Sequence, residues 1–134
     1  MNILTEKKPV TKKVSVRLTR NSKLFKTIIS AIQDKKGENI ISLDLKKIPE
    51  AVADYIVICS ADNTVQLKAI ADYVEHMVKL NTGEIIYKHE GRHGLQWIII
   101  DFVNIVVHVM MPEARKFYRL EEMWSDATGM AHDL

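Results

Sequence analysis

The stretch Trp97–Met110, WIIIDFVNIVVHVM, decides how this chain is read. It is the most hydrophobic segment, rich in β-branched residues, yet it carries one Asp and one His. Such a run broken by a turn-forming residue reads as two strands and a tight hairpin, with Val103-Asn104 as the loop. The loop then sets the cross-strand pairs. Phe102 faces Ile105, Ile100 faces Val107 and Ile98 faces Val109, an apolar face suited to a core. The opposite face pairs Trp97 with Met110, Ile99 with His108 and Asp101 with Val106. A face that mixes indole, thioether, imidazole and carboxylate is either covered by another element or meets a partner.

Working upstream, Asn21 or Ser22 can cap a helix running to about Lys36. Its Leu24, Phe25, Ile28, Ile29 and Ile32 form one stripe, and Gly37 sits where a helix ends. Ile40–Leu45 alternates around Ser42 and Asp44, the pattern of a short strand at a sheet edge. Residues 46–53 contain Pro49 and read as a loop. Tyr55–Cys59 is a continuous apolar run, as in a strand covered on both faces. Asn63 and Gln66 resemble a capping box for a helix over about Thr64–Leu80. That helix buries Leu67, Ile70, Ala71, Val74, Met77 and Val78, and Asn81 and Gly83 end it. Glu84–Lys88 reads as a third short strand, completing a βαβ unit with parallel strands. Residues 89–94 turn the chain into the hairpin.

Downstream, Pro112 favours a helix start, and one helix over Glu113–Trp124 is expected, with Phe117, Leu120, Met123 and Trp124 at helical spacing. Residues 128–134 read as a fraying tail. The expected fold is α/β of the α+β mixed kind: a mixed β-sheet of about five strands with helices packed on it. The expected organisation is a basic flexible arm over 1–20, one domain over 21–126 and a tail over 127–134.

At 134 residues, 47% hydrophobic and 27% charged, the chain has the make-up of one soluble domain with a real core. One cysteine excludes an internal disulfide framework and suits a reducing compartment. No apolar run approaches the ~20 residues of a membrane span. The net charge of +2 conceals an asymmetry. Residues 1–26 hold eight Lys/Arg against Glu6 alone, a net +7, while the remainder holds eleven basic and sixteen acidic residues, a net −5. The arm is a solvated tail or a non-specific contact for RNA phosphates. Its Lys-rich composition, Glu6 and weak amphipathicity argue against an organellar transit peptide.

Four features invite a chemical reading. His89-Glu90-Gly91-Arg92-His93 matches H-E-x-x-H, but the zinc chemistry needs two imidazoles one helical turn apart, and Gly91 and Gly94 break a helix. A polar turn is the expectation, and no metal. Asp101 and His108 share a face and are diagonal neighbours, a pairing that can orient a general base, but no Ser or Cys stands by as nucleophile. A structural or recognition pair is expected. Cys59 ends a buried strand and reads as a small core hydrophobe. The sequence CSADN after a strand has the look of the nucleotidyltransferase Gly-Ser turn, but only Asp62 and Asp101 are on offer and no Asp-x-Asp follows. For Trp97 the core and interface readings weigh evenly, Trp124 reads as core, and Arg115, Lys116 and Arg119 read as a solvated face or an interface rim.

The linked motifs Asp54-Tyr55-Ile56-Val57-Ile58, Ser60, Asn63-Thr64 with Gln66 and Ala69-Ile70-Ala71, then Glu90-Gly91, Trp97–Phe102, Val106–Val109, and Arg115, Phe117-Tyr118, Leu120-Glu121 and Trp124, stand in an order that resembles the ribosomal silencing factor family, also called Iojap-like. The resemblance covers about Leu24 to Asp126 and leaves out the basic arm. It implies a fold similar to nucleotidyltransferases without their catalytic carboxylates, and a protein that is not an enzyme and uses no cofactor. It implies docking on the large ribosomal subunit at large-subunit protein fourteen, blocking of subunit joining, and lowered translation under nutrient limitation. It further implies a homodimer in some members and a cytoplasmic, bacterial setting. The family's hairpin tryptophan corresponds to Trp97 and its helix tyrosine to Tyr118, carried over as partner contacts. Around them Ile99, Asp101, His108, Met110 and Arg115 complete the expected partner-binding surface. The chain departs from the family's Gly-Asp turn at Val103-Asn104; Val resists positive φ, which points to a longer or bulged turn. The competing expectation is a nucleotidyltransferase-like nucleotide-binding protein or enzyme, which requires a carboxylate cluster.

Overall fold

The computed structural model describes residues 19–51, 53–84, 86, 88–91 and 96–132. Residues 1–18 of the expected 1–20 arm lie outside the described residues, as do Arg92 and His93 of the H-E-x-x-H string.

Helix α1 (Lys23–Asp34) starts where the Ser22 hydroxyl accepts the Phe25 amide and buries the expected stripe. Gly37 is needed for closeness and not for its own φ. Its amide donates to the Ile32 carbonyl at 2.9 Å, and a Cβ there would meet Ile32 Cγ2 at 2.4 Å. Strand β1 (Glu38–Asp44) follows, bulged between Glu38 and Ile41 around Asn39, which takes φ 50°. Strand β2 (Tyr55–Ser60) is buried throughout, as its unbroken apolar run requires. Helix α2 (Thr64–Thr82) opens on Asn63 Oδ1 accepting the Gln66 amide at 2.8 Å and closes on Gly83 at φ 77°. The return bond of the capping box goes one residue early: Gln66 Oε1 accepts from the Asp62 amide. The Gln66 amide nitrogen meanwhile donates to the Lys35 and Lys36 carbonyls, tying the end of α1 to the start of α2.

Strand β3 occupies Lys88–Gly91, so residues 89–91 are strand and not turn; Ile85 and Tyr87 of the expected strand lie outside the described residues. Strands β4 (Trp97–Asp101) and β5 (Ile105–Met110) form the hairpin in the register read from sequence: Trp97 opposite Met110, Ile99 opposite His108, Ile100 opposite Val107 and Asp101 opposite Val106. The turn is neither lengthened nor bulged. Val103 instead accepts φ 75°, and the Asn104 amide donates across it to the Phe102 carbonyl at 2.9 Å, a strained γ-turn. Two fixtures hold it there. Asp101 Oδ1 accepts the Val103 amide at 2.7 Å, and the Asn104 carbonyl accepts the Asp54 and Tyr55 amides at the start of β2.

The single helix expected over 113–124 is two. Helix α3 (Pro112–Tyr118) stops at Arg119, which adopts left-handed φ 52°, and α4 (Leu120–Met123) restarts beyond it. The stretch expected to fray contains strand β6 (Thr128–Ala131), which pairs antiparallel with β1. It covers the flank of β1 that was expected to be an edge. Three side chains secure it: Arg20 donates to Ser42 Oγ and the Thr128 carbonyl, His132 Nε2 lies 2.7 Å from Ser42 Oγ, and Gln33 donates to the His132 carbonyl. Arg20 and β6 thus pack beyond both expected bounds of the domain.

The sheet is mixed, as expected, with six strands in the order β3-β4-β5-β2-β1-β6. The central pair β2 and β5 is parallel and every other neighbouring pair antiparallel. β3 therefore runs with β2, as the βαβ reading requires, but two strands separate them. Helices α1 and α2 cover one face, with Ile98, Ile100, Phe102, Ile105, Val107 and Val109 beneath them. On the other face Ala114 of α3 and Leu120 of α4 pack with Leu43, Leu45, Ile56, Ile58, Trp97 and Met110. Among the described residues no helix is long and apolar enough to cross a membrane.

Candidate functional site

The mixed face of the hairpin is covered from within the chain. Trp97 is 7% exposed, His108 8% and Met110 fully buried, so none of the three is an open docking residue. Trp97 Nε1 donates to His108 Nδ1 at 3.0 Å, which leaves the imidazole proton on Nε2 in the neutral ring. His108 is thus bonded to Trp97 and the Asp101 carboxylate to the Val103 amide, and the two do not form the acid–base pair considered from sequence. Ile99 is partly buried beside the same cluster.

The left-handed residue at Arg119 decides what reaches the surface. A continuous helix would carry Phe117, Leu120 and Trp124 along one buried stripe. The break keeps Leu120 inward, half-buries Trp124, and turns Phe117 and Met123 out at 76% and 67% exposure. Tyr118 stands between surface and core. It is 49% exposed, with its ring 4.7 Å from that of Trp97 and edge-on to Phe117 at 5.0 Å. Trp97 therefore acts as the floor under an exposed aromatic pair. Phe117 and Met123 are the residues that sequence reasoning missed.

Arg115 is the one basic residue here with a fixed position. Its side chain is 13% exposed, Nη1 donates to Ser60 Oγ at 2.9 Å, and Nε and Nη2 grip the two oxygens of Glu121 at 3.3 and 3.0 Å. Lys116 and Arg119 extend into solvent around it, Arg119 in an exposed pair with Glu122 at 3.6 Å. Of the expected surface, then, Tyr118 is the exposed member, and Arg115 is largely buried in its grip on Ser60 and Glu121. Trp97, His108, Met110 and Ile99 support it from beneath, and Asp101 belongs to the hairpin turn.

Catalytic groups are poorly placed. Burial pushes the Cys59 thiol up to about 12, with the charge of Arg115 only partly opposing it, so the thiolate nucleophile is suppressed. His89 and Glu90 lie on strand β3, which does not make the one-turn spacing that the zinc motif needs. Among the described residues no group of three or more His, Cys, Asp and Glu side chains converges as a metal site.

Comparison with known proteins agrees with this arrangement. The family model described as ribosomal silencing factor during starvation matches residues 19–134, which takes in both Arg20 and β6. The chain is 34% identical to the ribosomal silencing factor of Halalkalibacterium halodurans, over 80% of this chain and 90% of that protein. It is 36% identical to that of Bacillus subtilis, over 78% and 86%. A mouse protein named mitochondrial assembly of ribosomal large subunit protein 1 is 35% identical over 67% of this chain and 41% of its own length. A crystal structure from Chromobacterium violaceum superposes with TM-score 0.71 at 33% identity, covering 76% of this chain and 83% of that one. From the sequence motifs, the six-stranded fold and these matches together, the chain belongs to the ribosomal silencing factor family.

Proposed function

We propose that this protein silences ribosomes in the bacterial cytoplasm by a steric route. It binds the large ribosomal subunit at large-subunit protein fourteen, and its bulk keeps the small subunit from joining. Translation falls because subunits stay apart, and no bond is made or broken. The observation that carries this reading is the exposed Phe117–Tyr118 pair on α3, where Phe117 lines a shallow depression with Lys116 and Arg119, and Met123 is exposed on the adjoining α4. An exposed apolar centre with an arginine-rich rim is how protein interfaces are built. Tyr118 is the anchor, pre-positioned by Trp97 so that little freedom is lost on binding. Off the ribosome the same patch can close on a second copy as a homodimer. The basic arm adds salt-dependent contact with ribosomal RNA.

Sucrose-gradient cosedimentation with isolated large subunits tests the reading. The wild-type protein is expected to travel with the large subunit and to lower the yield of joined ribosomes. A folded Phe117→Ala/Tyr118→Ala variant is expected to stay at the top. Undiminished cosedimentation of that variant would remove the patch from the mechanism.

A further inference from the structure

The central strands of the sheet part company at their carboxyl ends. β2 ends at Ser60 and leads to α2 on one face; its parallel neighbour β5 ends at Met110 and leads to α3 on the other. Adjacent parallel strands whose connections leave to opposite sides open a crevice beyond their ends, and in α/β sheets ligands bind there. In this protein the crevice is an open cleft of about 740 Å³, lined by Asn39, Ser60, Pro112, Arg115, Lys116 and Arg119, with Glu121 and Glu122 at its rim. The β1 bulge brings Asn39 to it, as bulges do beside functional sites.

We propose that this cleft binds a small phosphate-bearing ligand and that the Glu121 carboxylate occupies the phosphate position when the ligand is absent. The Arg115 fork already holds two oxygens of one anionic group, with the spacing that carboxylate and phosphate share. Its aim does not depend on Glu121, because Ser60 Oγ holds Nη1 separately. Glu121 is free to leave: it sits on the four-residue α4, and its side chain is 38% exposed against 13% for Arg115. Lys116 and Arg119 flank the mouth, and the Arg119–Glu122 pair is too exposed to hold Arg119 back. Three cations face two carboxylates, and once Glu121 swings out the field favours an incoming anion. Among the described residues the lining holds no aromatic ring, so the cleft recognises phosphate charge and not a base.

Lys116 and Arg119 also border the proposed docking surface, so the measurement is made on the free protein, apart from ribosome docking. Thermal shift and calorimetric titration with pyrophosphate, without divalent metal, are the measurement. Pyrophosphate is expected to raise Tm and to bind with saturation. Lys116→Gln/Arg119→Gln, both exposed, is expected to bind about tenfold or more weakly with an unchanged starting Tm, the scale of lost charged hydrogen bonds. Glu121→Gln is expected to bind several-fold more tightly, which a merely structural Glu121 would not produce. Lys68→Gln, an exposed lysine on α2 away from the cleft, is expected to bind as wild type. Equal weakening by Lys68→Gln would reduce the effect to general attraction and overturn the site, as would no shift with pyrophosphate. Binding of an RNA octanucleotide without binding of pyrophosphate would overturn the small-ligand assignment and leave a nucleic-acid backbone as the source of the phosphate.

Discussion

The two faces of the β4–β5 hairpin come from the same fourteen residues and serve opposite ends. Beneath α1 and α2 the face is Ile98, Ile100, Phe102, Ile105, Val107 and Val109, sealed by two long helices. Beneath α3 and α4 it is Trp97, Ile99, His108 and Met110, covered by two short helices that leave aromatic surface outside. Long helices bury a whole stripe; a pair broken at Arg119 buries Ala114 and Leu120 and spends Phe117, Tyr118 and Met123 on the exterior. One side of the sheet is thus sealed by long helices, and the other carries the exposed side chains proposed for docking.

The largest effect that separates the faces is expected from Ile100→Ala. Ile100 is fully buried opposite Val107, and truncation in such a site costs about 2–5 kcal/mol of folding stability. Urea denaturation should show that loss, while folded protein should still cosediment with large subunits. Cys59 belongs to the same sealed face. Its thiol, pushed up to about 12 by burial, keeps its proton in the folded chain where the unfolded chain has lost it. The contribution is therefore present below the ordinary thiol pKa and is lost as pH rises through about 12. A thiol reagent at pH 8 should react only as fast as the protein unfolds; rapid labelling of native protein would break the contrast between a sealed and an open side.

Next in size is Trp97→Phe, on the recognition side. It keeps a ring beneath Tyr118 but removes the donor to buried His108 Nδ1, at about 1–3 kcal/mol. A stability loss with docking retained would make Trp97 a support. A docking loss at full stability would make it a direct contact, and would erase the division between floor and patch.

The turn that joins the faces gives an effect of opposite sign. Val103 at φ 75° carries strain of about 1–3 kcal/mol, and glycine gives back about 0.5–1 kcal/mol in entropy. Val103→Gly is expected to raise stability by about 1 kcal/mol in thermal denaturation, without change in docking.

Much of this arrangement was legible in the sequence because a few local rules propagate. A two-residue loop at Val103-Asn104 fixes every pair of the hairpin, since the side-chain period is two. Apolar stripes fixed α1 and α2 in the same way. The expectation of a bulged turn misjudged the contest at Val103: Asp101 and the β2 amides together hold the strained φ. The break at Arg119 was illegible, because arginine is a good helix former and the cause is tertiary. Beyond the turn Leu120 packs on the sheet and Trp124 packs partly against it. β6 was missed for a related reason. All four of its residues are exposed, so no alternation marks it, and its partners Arg20 and Ser42 are far away in sequence. The unseen break also hid α4 as a separate short helix that leaves Met123 exposed.

The smallest change in stability should then accompany the clearest change in function. Phe117 is 76% exposed and touches Tyr118 edge-on, so Phe117→Ser removes almost no buried surface. Its effect on folding should stay within about 0.5 kcal/mol, as for surface substitutions generally. At an interface the same ring would be desolvated, and losing it costs 2 kcal/mol or more, about thirtyfold in affinity. A variant that melts like wild type and fails to cosediment would locate recognition in the side chains that α3 and α4 leave uncovered. A variant that cosediments normally would return it to the strands beneath, and Phe117 would be an exposed aromatic with no partner in that complex.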